Sequence, residues 1–216
     1  MTDPTGSAQP GTVFVVDDDR AMRLALDSLF RSVGLQVELL DSTAEFLPRR
    51  KVTGPGCIVL DVRLPGTSGL DFQDQLRRDG IHLPVIFMTG HGDIPMSVRA
   101  MKAGAIDFLA KPFRDQDMLE AVAAAIERDR ARLADETMLA SLQAAYATLT
   151  PREREVMALV VTGLMNKQIA AEVGLQEITV KIHRGHMMKK MNARSLAELV
   201  RMADLLAPSR PGRPGI

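Results

Sequence analysis

Val13-Phe14-Val15-Val16-Asp17-Asp18-Asp19 is the stretch on which the reading of this 216-residue chain turns. Four apolar residues in a row, three of them β-branched, suit a strand buried on both faces, and the abrupt change to three carboxylates marks its end. Outward from there, short apolar runs alternate with amphipathic segments. Thr12–Val16 is read as a strand. Met22, Leu26, Leu29, Phe30 and Val33 fall at helical spacing, so Arg20–Val33 is read as a helix closed by Gly34. Leu35–Leu40 is a second strand, and Ser42 caps a short helix running to about Arg50. Cys57–Leu60 is a strand of the continuously apolar type, Leu70–Arg78 a helix and Pro84–Met88 a strand. Asp93 caps a helix through Met101–Lys102 that Gly104 ends, and Ile106–Ala110 is the last strand. Five strands alternating with helices predict a parallel α/β sheet covered on both faces.

In such a sheet, ligands collect at the carboxyl ends of the strands. Asp17 and Asp18 follow the first strand, Asp61 follows the third, Thr89 ends the fourth, and Lys111 ends the fifth, before Pro112. Clustered carboxylates repel one another and need a cation. A hard divalent ion with oxygen ligands, most simply Mg²⁺, fits them and leaves room for a phosphoryl oxygen. One carboxylate can then attack phosphorus to give an acyl phosphate, while Lys111 and Thr89 neutralise the remaining phosphoryl oxygens. A lone Asp after a strand is usually a turn or cap residue. The full set at successive strand ends is much harder to read that way. Asp19 lies outside the pattern and is expected at the surface.

Beyond the last strand, Asp115–Leu149 contains neither Gly nor Pro and is read as one long helix. Leu119, Val122 and Ile126 form an apolar stripe in its first part, and Leu133, Leu139 and Leu142 are anchors further on. Thr150-Pro151-Arg152-Glu153 then carries the signals of a new helix start, with Thr150 as cap, Pro151 at the first helical position and Glu153 closing a capping box. Helices are expected at about Pro151–Thr162, Lys167–Val173, Glu177–Met191 and Ser195–Leu206. The second and third, joined by a tight turn at Gly174, have helix-turn-helix spacing. On a wheel of Glu177–Met191, Val180, Met187 and Met191 share one face and must meet the core. Lys181, Ile182, Gly185 and Lys189 lie opposite. An apolar Ile182 between two Lys is poor surface chemistry but suits DNA, where it can meet a thymine methyl. Gly185 weakens the helix by roughly 1 kcal/mol relative to Ala, and removes a side chain where helix and groove press closest. From Lys181 to Arg194 there are five Lys/Arg, two His and no acid. That composition favours an anionic partner.

Composition supports two units. The net charge is zero, yet residues 1–148 carry 16 Lys/Arg against 21 Asp/Glu, and residues 149–206 carry 9 against 6. The single Cys57 excludes an internal disulfide framework and a cysteine zinc site, and within its apolar run it is read as a small buried hydrophobe. The first eleven residues lack the basic start and apolar run of a signal peptide. No apolar run approaches the ~20 residues of a membrane span, so no membrane association is expected and a cytoplasmic location is. No G-x-G-x-x-G or G-x-x-x-x-G-K-[ST] follows any strand, which argues against a nucleotide-dependent α/β enzyme.

Val13–Asp19, Leu60-Asp61-Val62-Arg63-Leu64-Pro65-Gly66, Met88-Thr89-Gly90-His91 and Phe108-Leu109-Ala110-Lys111-Pro112-Phe113 resemble response-regulator receiver domains, closely those of the FixJ-like group. The resemblance implies a flavodoxin-like sheet of strand order 2-1-3-4-5 and a phosphoacceptor at Asp61. It implies Mg²⁺ (or Mn²⁺) held by Asp18, Asp61 and the backbone carbonyl of Arg63, with Asp17 acting through water. Thr89 and Lys111 would stabilise the phosphoryl group, Phe108 would be the switch aromatic, and Lys111–Pro112 would be cis. Leu149–Val156, Gly163–Ala170, Thr179–Arg184 and Lys190-Met191 resemble the LuxR-type DNA-binding domain, a four-helix unit whose third helix enters the major groove. Lys167, Thr179, Lys181, Ile182, Arg184, Gly185 and Lys189 are its expected DNA-contacting residues. Gln176 departs from the pattern, which commonly has Ser there as cap. Together the resemblances imply a phosphorylation-dependent transcriptional regulator rather than an enzyme. A sensor histidine kinase would be its phosphodonor, promoter DNA its target, RNA polymerase a further partner, and a homodimer its phosphorylated form. The organisation would be a disordered 1–11, a receiver 12–128, a helical linker 129–148, a DNA-binding domain 149–206 and a disordered tail 207–216. The alternative is a phosphorylation-independent DNA-binding regulator with a vestigial receiver.

Overall fold

The structure is a computed structural model and describes residues 10–46, 54–90 and 94–207. The expected terminal disorder at 1–9 and 208–216, the helix beyond Phe46 and the Asp93 cap lie outside the described residues. Two compact units divide between Ala134 and Asp135.

The first unit alternates β1 (Thr12–Val16), α1 (Arg20–Ser32), β2 (Gln36–Leu40), α2 (Thr43–Phe46), β3 (Gly56–Asp61), α3 (Gly69–Arg78), β4 (Val85–Thr89), α4 (Ile94–Lys102), β5 (Asp107–Ala110) and the start of α5 (Asp115–Ala147). The five strands are all parallel, in the order β2-β1-β3-β4-β5, as the receiver resemblance implies. Both faces of the sheet are apolar because both are covered. Phe14, Val16, Ile58, Leu60 and Phe87 pack with Leu40, Phe46, Phe72, Leu76 and Ala100 on one side. Val13, Val15, Cys57, Val59, Ile86 and Met88 pack under Leu26 and Phe30 of α1 and Met118, Val122 and Ile126 of α5 on the other.

The elements depart from the sequence reading at their ends, for identifiable reasons. β3 does not stop at Leu60 but includes Asp61, which pairs in register with Met88, because ladder pairing is a backbone property indifferent to the side chain. β4 begins at Val85 and not Pro84, which has no N–H to give the ladder; Pro84 instead accepts Ile58 N–H at 2.9 Å. Asp19 is exposed as expected, but it also caps α1, its carboxylate accepting Ala21 N–H at 2.8 Å. Gly34 and Gly104 follow their helices with φ of 80° and 84°, the left-handed conformation glycine adopts without strain.

α5 is one unbroken helix, and its anchoring extends further than its apolar stripe. Asp129 is buried, accepts Gly56 N–H at 2.9 Å and pairs with Arg132. It ties the helix to the start of β3. Among the described residues, no helix is long and apolar enough to cross a membrane.

The second unit contains the end of α5, α6 (Pro151–Val160), α7 (Asn166–Val173), α8 (Glu177–Lys190) and α9 (Leu196–Leu206). Its core gathers Leu142, Val156, Val160, Ile169 and Leu199 around Val180 and Met187 of α8 and Met191 just after it, the three residues that the wheel assigned inward. α7 ends on Gly174 in the left-handed conformation (φ 68°, ψ 36°), which turns the chain directly into α8.

Candidate functional site

The topology brings residues distant in sequence to one edge of the sheet. Asp17 leaves β1, Asp61 and Thr89 end β3 and β4, and Lys111 follows β5. Asp17 and Thr89 are fully buried and Asp61 nearly so, while Asp18 is exposed. Carboxylate oxygens of Asp17, Asp18 and Asp61 all lie within 4.8 Å of one another. The Lys111 ammonium donates to Asp17 Oδ2 and to Asp61 Oδ2, both at 2.7 Å. The second oxygens are held by backbone: Asp17 Oδ1 accepts Asp19 N–H at 2.8 Å, and Asp61 Oδ1 accepts Arg63 N–H at 2.9 Å. Lys111 itself is fixed by its N–H to the Thr89 carbonyl at 2.7 Å, and the Lys111–Pro112 bond is cis.

The electrostatics follow from burial and from an excess of negative charge. Burial pushes the Asp17 carboxyl above its ordinary range against the hydrogen bonds from Lys111 and the Asp19 N–H, and the nearby Asp61 adds to it. Burial works against the charged form of Lys111, but hydrogen bonds to Asp17 and Asp61 outweigh it and hold the ammonium above its usual value. Three hard oxygen ligands beside a single ammonium fit a divalent cation of the Mg²⁺ type.

Other residues expected at the site stand further out. Arg63 is exposed and forms an isolated antiparallel bridge with Ser68. Phe108 is half-buried against the core on the α3 side of the sheet, 6.4 Å between ring centroids from Phe87. Gly69 was missed by sequence reasoning. A Cβ there would stand 2.6 Å from the Asp61 carbonyl, so only glycine lets α3 start this close to the strand that carries Asp61. Arg23, also missed, donates to the Asp17 carbonyl. Nothing in the spacing signals either contact.

In the second unit, Lys181, Ile182, Gly185 and Lys189 of α8 are all exposed, as is Lys167 on α7; Thr179 is half-buried. Half-buried Arg184 donates to Asn166 Oδ1 at 3.1 Å, joining α8 to the start of α7. Gln176 precedes α8 without a side-chain capping bond, as its chemistry predicted. The capping box of Thr150 and Glu153 forms, and Lys190 adds to it, donating to Glu153 Oε2 at 2.6 Å and to the Thr148 carbonyl at 3.2 Å. Thirty-seven residues separate Lys190 from Glu153, and no local pattern announces the pair.

Comparison with known proteins agrees with both halves. The family model of the response regulator receiver domain matches residues 13–123, and that of bacterial regulatory proteins of the luxR family matches residues 147–203. The chain is a response regulator. Nodulation protein W of Bradyrhizobium diazoefficiens is 60% identical over 205 residues, covering 95% of this chain and 90% of that protein. Response regulator protein TodT of Pseudomonas putida is 43% identical over 203 residues, 94% of this chain and 89% of that protein. Among solved structures, response regulator StyR superposes with a TM-score of 0.82 at 47% identity, covering 90% of this chain and 98% of that one. This response regulator is thus a two-component transcription factor with a DNA-binding output domain. Membership implies a cognate histidine kinase and DNA as partners.

Proposed function

We propose that Asp61 is the phosphoacceptor and that its modification controls DNA binding by the second unit. The observation that carries this is the convergence of Asp17, Asp18 and Asp61 oxygens within 4.8 Å, with Lys111 bridging two of them. Asp18, Asp61 and the Arg63 backbone carbonyl would hold Mg²⁺ (or Mn²⁺), with Asp17 acting through water. Bound there, the ion would offset the carboxylate charge and polarise the phosphoryl oxygens. An Asp61 carboxylate oxygen attacks phosphorus; the P–N bond to the kinase's phosphohistidine breaks, and its electron pair stays on the imidazole nitrogen. Lys111 and the Thr89 hydroxyl stabilise charge on the transferred group.

Thr89 and Phe108 then carry the change outward to the surface around α4 and β5, through which two copies pair. The dimer presents two α8 helices to half-sites about one helical turn apart. Lys181, Ile182, Gly185 and Lys189 face the groove, with Lys167, Thr179 and Arg184 beside them. The working organisation is a receiver at 12–128, a linker at 129–148 and a DNA-binding domain at 149–206, acting in the cytoplasm on promoter DNA, with RNA polymerase as a further contact.

The test is labelling by acetyl phosphate with Mg²⁺. Asp61→Asn should take up no phosphoryl group and should not show the sedimentation shift to dimer that wild type shows with beryllofluoride. Labelling of Asp61→Asn at the wild-type level, or a wild type that stays monomeric at micromolar concentration yet binds its operator fully, would refute the assignment.

A further inference from the structure

Two aliphatic side chains on α8 have no role in the unit's core. Ile178, in the first turn, is 59% exposed, and Ile182, one turn later, is 51% exposed. At 100° per residue they lie about 40° apart on the helix, on the face that also carries Lys181, Gly185 and Lys189. The inward needs of α8 are met by Val180 and Met187, with Met191 at its end. A single exposed isoleucine signifies little. Two on one face, a helical turn apart and flanked by ammonium groups, describe a surface with a definite partner chemistry. The same face is open, since a Cβ at Gly185 would meet no heavy atom within 4 Å.

The lysines are satisfied by phosphate or by base-edge acceptors. Neither gives an isoleucine anything. The apolar group that the major groove offers at a base edge is the thymine 5-methyl. We propose that Ile178 is a sequence-reading residue, and that Ile178 and Ile182 each cover the methyl of a different thymine. This rests on α8 being the helix that enters the groove. Four residues of helix span about 6 Å, and base pairs repeat every ~3.4 Å, so the two thymines lie within two base pairs of each other. Gly185 leaves the backbone free to approach beyond them.

Replacing thymine by deoxyuridine removes the methyl and no hydrogen bond, which makes a direct test. Random-sequence duplexes are selected with the full chain in the presence of beryllofluoride, and each thymine of the recovered site is replaced in turn. Wild type should lose about fourfold in affinity at each of two positions within two base pairs in each half-site, the effect of one buried methyl. Ile178→Ala should lose this discrimination at one of the two and keep it at the other, and Ile182→Ala should do the converse. Because Ile178 is exposed and outside the core, its variant retains the fold. The inference is overturned by a wild type that discriminates at no thymine, or by an Ile178→Ala variant that keeps wild-type discrimination everywhere. Equal loss at both positions overturns it too, since that marks a change in docking. A selection that enriches no sequence refutes the groove-reading role of α8 itself, and the isoleucine assignment with it.

Discussion

Lys190→Met should destabilise the second unit more than its surface position suggests. The Glu153 side chain is 4% exposed and that of Lys190 35%, with 2.6 Å between them. The carboxylate also accepts Thr150 N–H at 2.8 Å. Losing Lys190 leaves a buried negative charge with Thr150 as its remaining partner. A hydrogen bond to a charged group is worth about 1.5–3 kcal/mol, and breaking a fully buried pair costs about 3–5 kcal/mol. The ammonium is a third exposed, which moves the expectation down to ~2 kcal/mol. Glu153→Gln should cost less, ~1 kcal/mol, because it keeps an acceptor for Thr150 and Lys190 can turn to water. The chain supplies its own probe: it has no Trp and one Tyr, and Tyr146 packs within the second unit. Tyrosine fluorescence during urea unfolding of the full chain therefore reports this unit alone. With a slope near 1 kcal/mol per M, Lys190→Met should lower the midpoint by about 2 M at pH 7. The Lys190 hydrogen bond, helped by the Thr150 N–H, holds the Glu153 carboxyl below its usual range. The stabilisation is therefore complete above the ordinary carboxylate pKa and disappears as pH falls through the depressed value. The gap between wild type and Lys190→Met should close below about pH 4. A midpoint within about 0.3 M of wild type at pH 7, or a gap that does not depend on pH, would refute the reasoning.

Gly69→Ala should cost the first unit about 1–3 kcal/mol, since the added Cβ meets backbone and not a flexible side chain, and it should slow acetyl-phosphate labelling of Asp61; thermal melting and labelling rates check both, and a variant normal in each would mean that α3 shifts freely. The Cys57 thiol, buried and pushed far above its ordinary pKa by burial, with Asp129 adding to the effect, should be inert to a disulfide reagent in the native chain and reactive at the urea concentration that unfolds the first unit. Rapid native labelling would show that the sheet opens locally.

The strands were legible because most are short apolar runs bounded by turn residues, while their order came from the resemblance to receiver domains and not from the runs themselves. The carboxylate cluster was legible for the same reason: once the strands are placed, Asp17, Asp61, Thr89 and Lys111 must share an edge. What escaped were contacts that depend on how closely elements pack. Gly69 reads as an ordinary loop glycine, and its constraint exists only because Asp61 carries β3 one residue beyond its apolar run. Asp129 reads as one acid among the charges of a polar helix, and the buried Gly56 N–H that it satisfies lies 73 residues away. Ile178 escaped because a lone isoleucine in a first turn looks inward by default, whereas here Val180, two residues on, takes the inward face.

The pocket and the recognition helix answer opposite electrostatic problems. At the sheet edge, one ammonium faces three carboxylates, two of which are buried. Burial is what chiefly raises the Asp17 carboxyl, with the Asp61 charge adding to it, while hydrogen bonds to Asp17 and Asp61 hold the Lys111 ammonium up against its own burial. The imbalance is costly to the isolated fold, and it is of the sign that a divalent cation would relieve. Lys111 is fixed from two sides, by its N–H on the Thr89 carbonyl and by its ammonium on Asp17 and Asp61. Any change in charge on Asp61 therefore alters the force on a side chain rooted at the ends of both β4 and β5. On α8 the surplus is positive and exposed, where water screens it and an anionic duplex is the group that would neutralise it. A site that must hold a charge change is buried and over-determined; a site that must exchange its partner is exposed and left open. The sequence carries that contrast as an acidic front and a basic back, and the fold gives each its place.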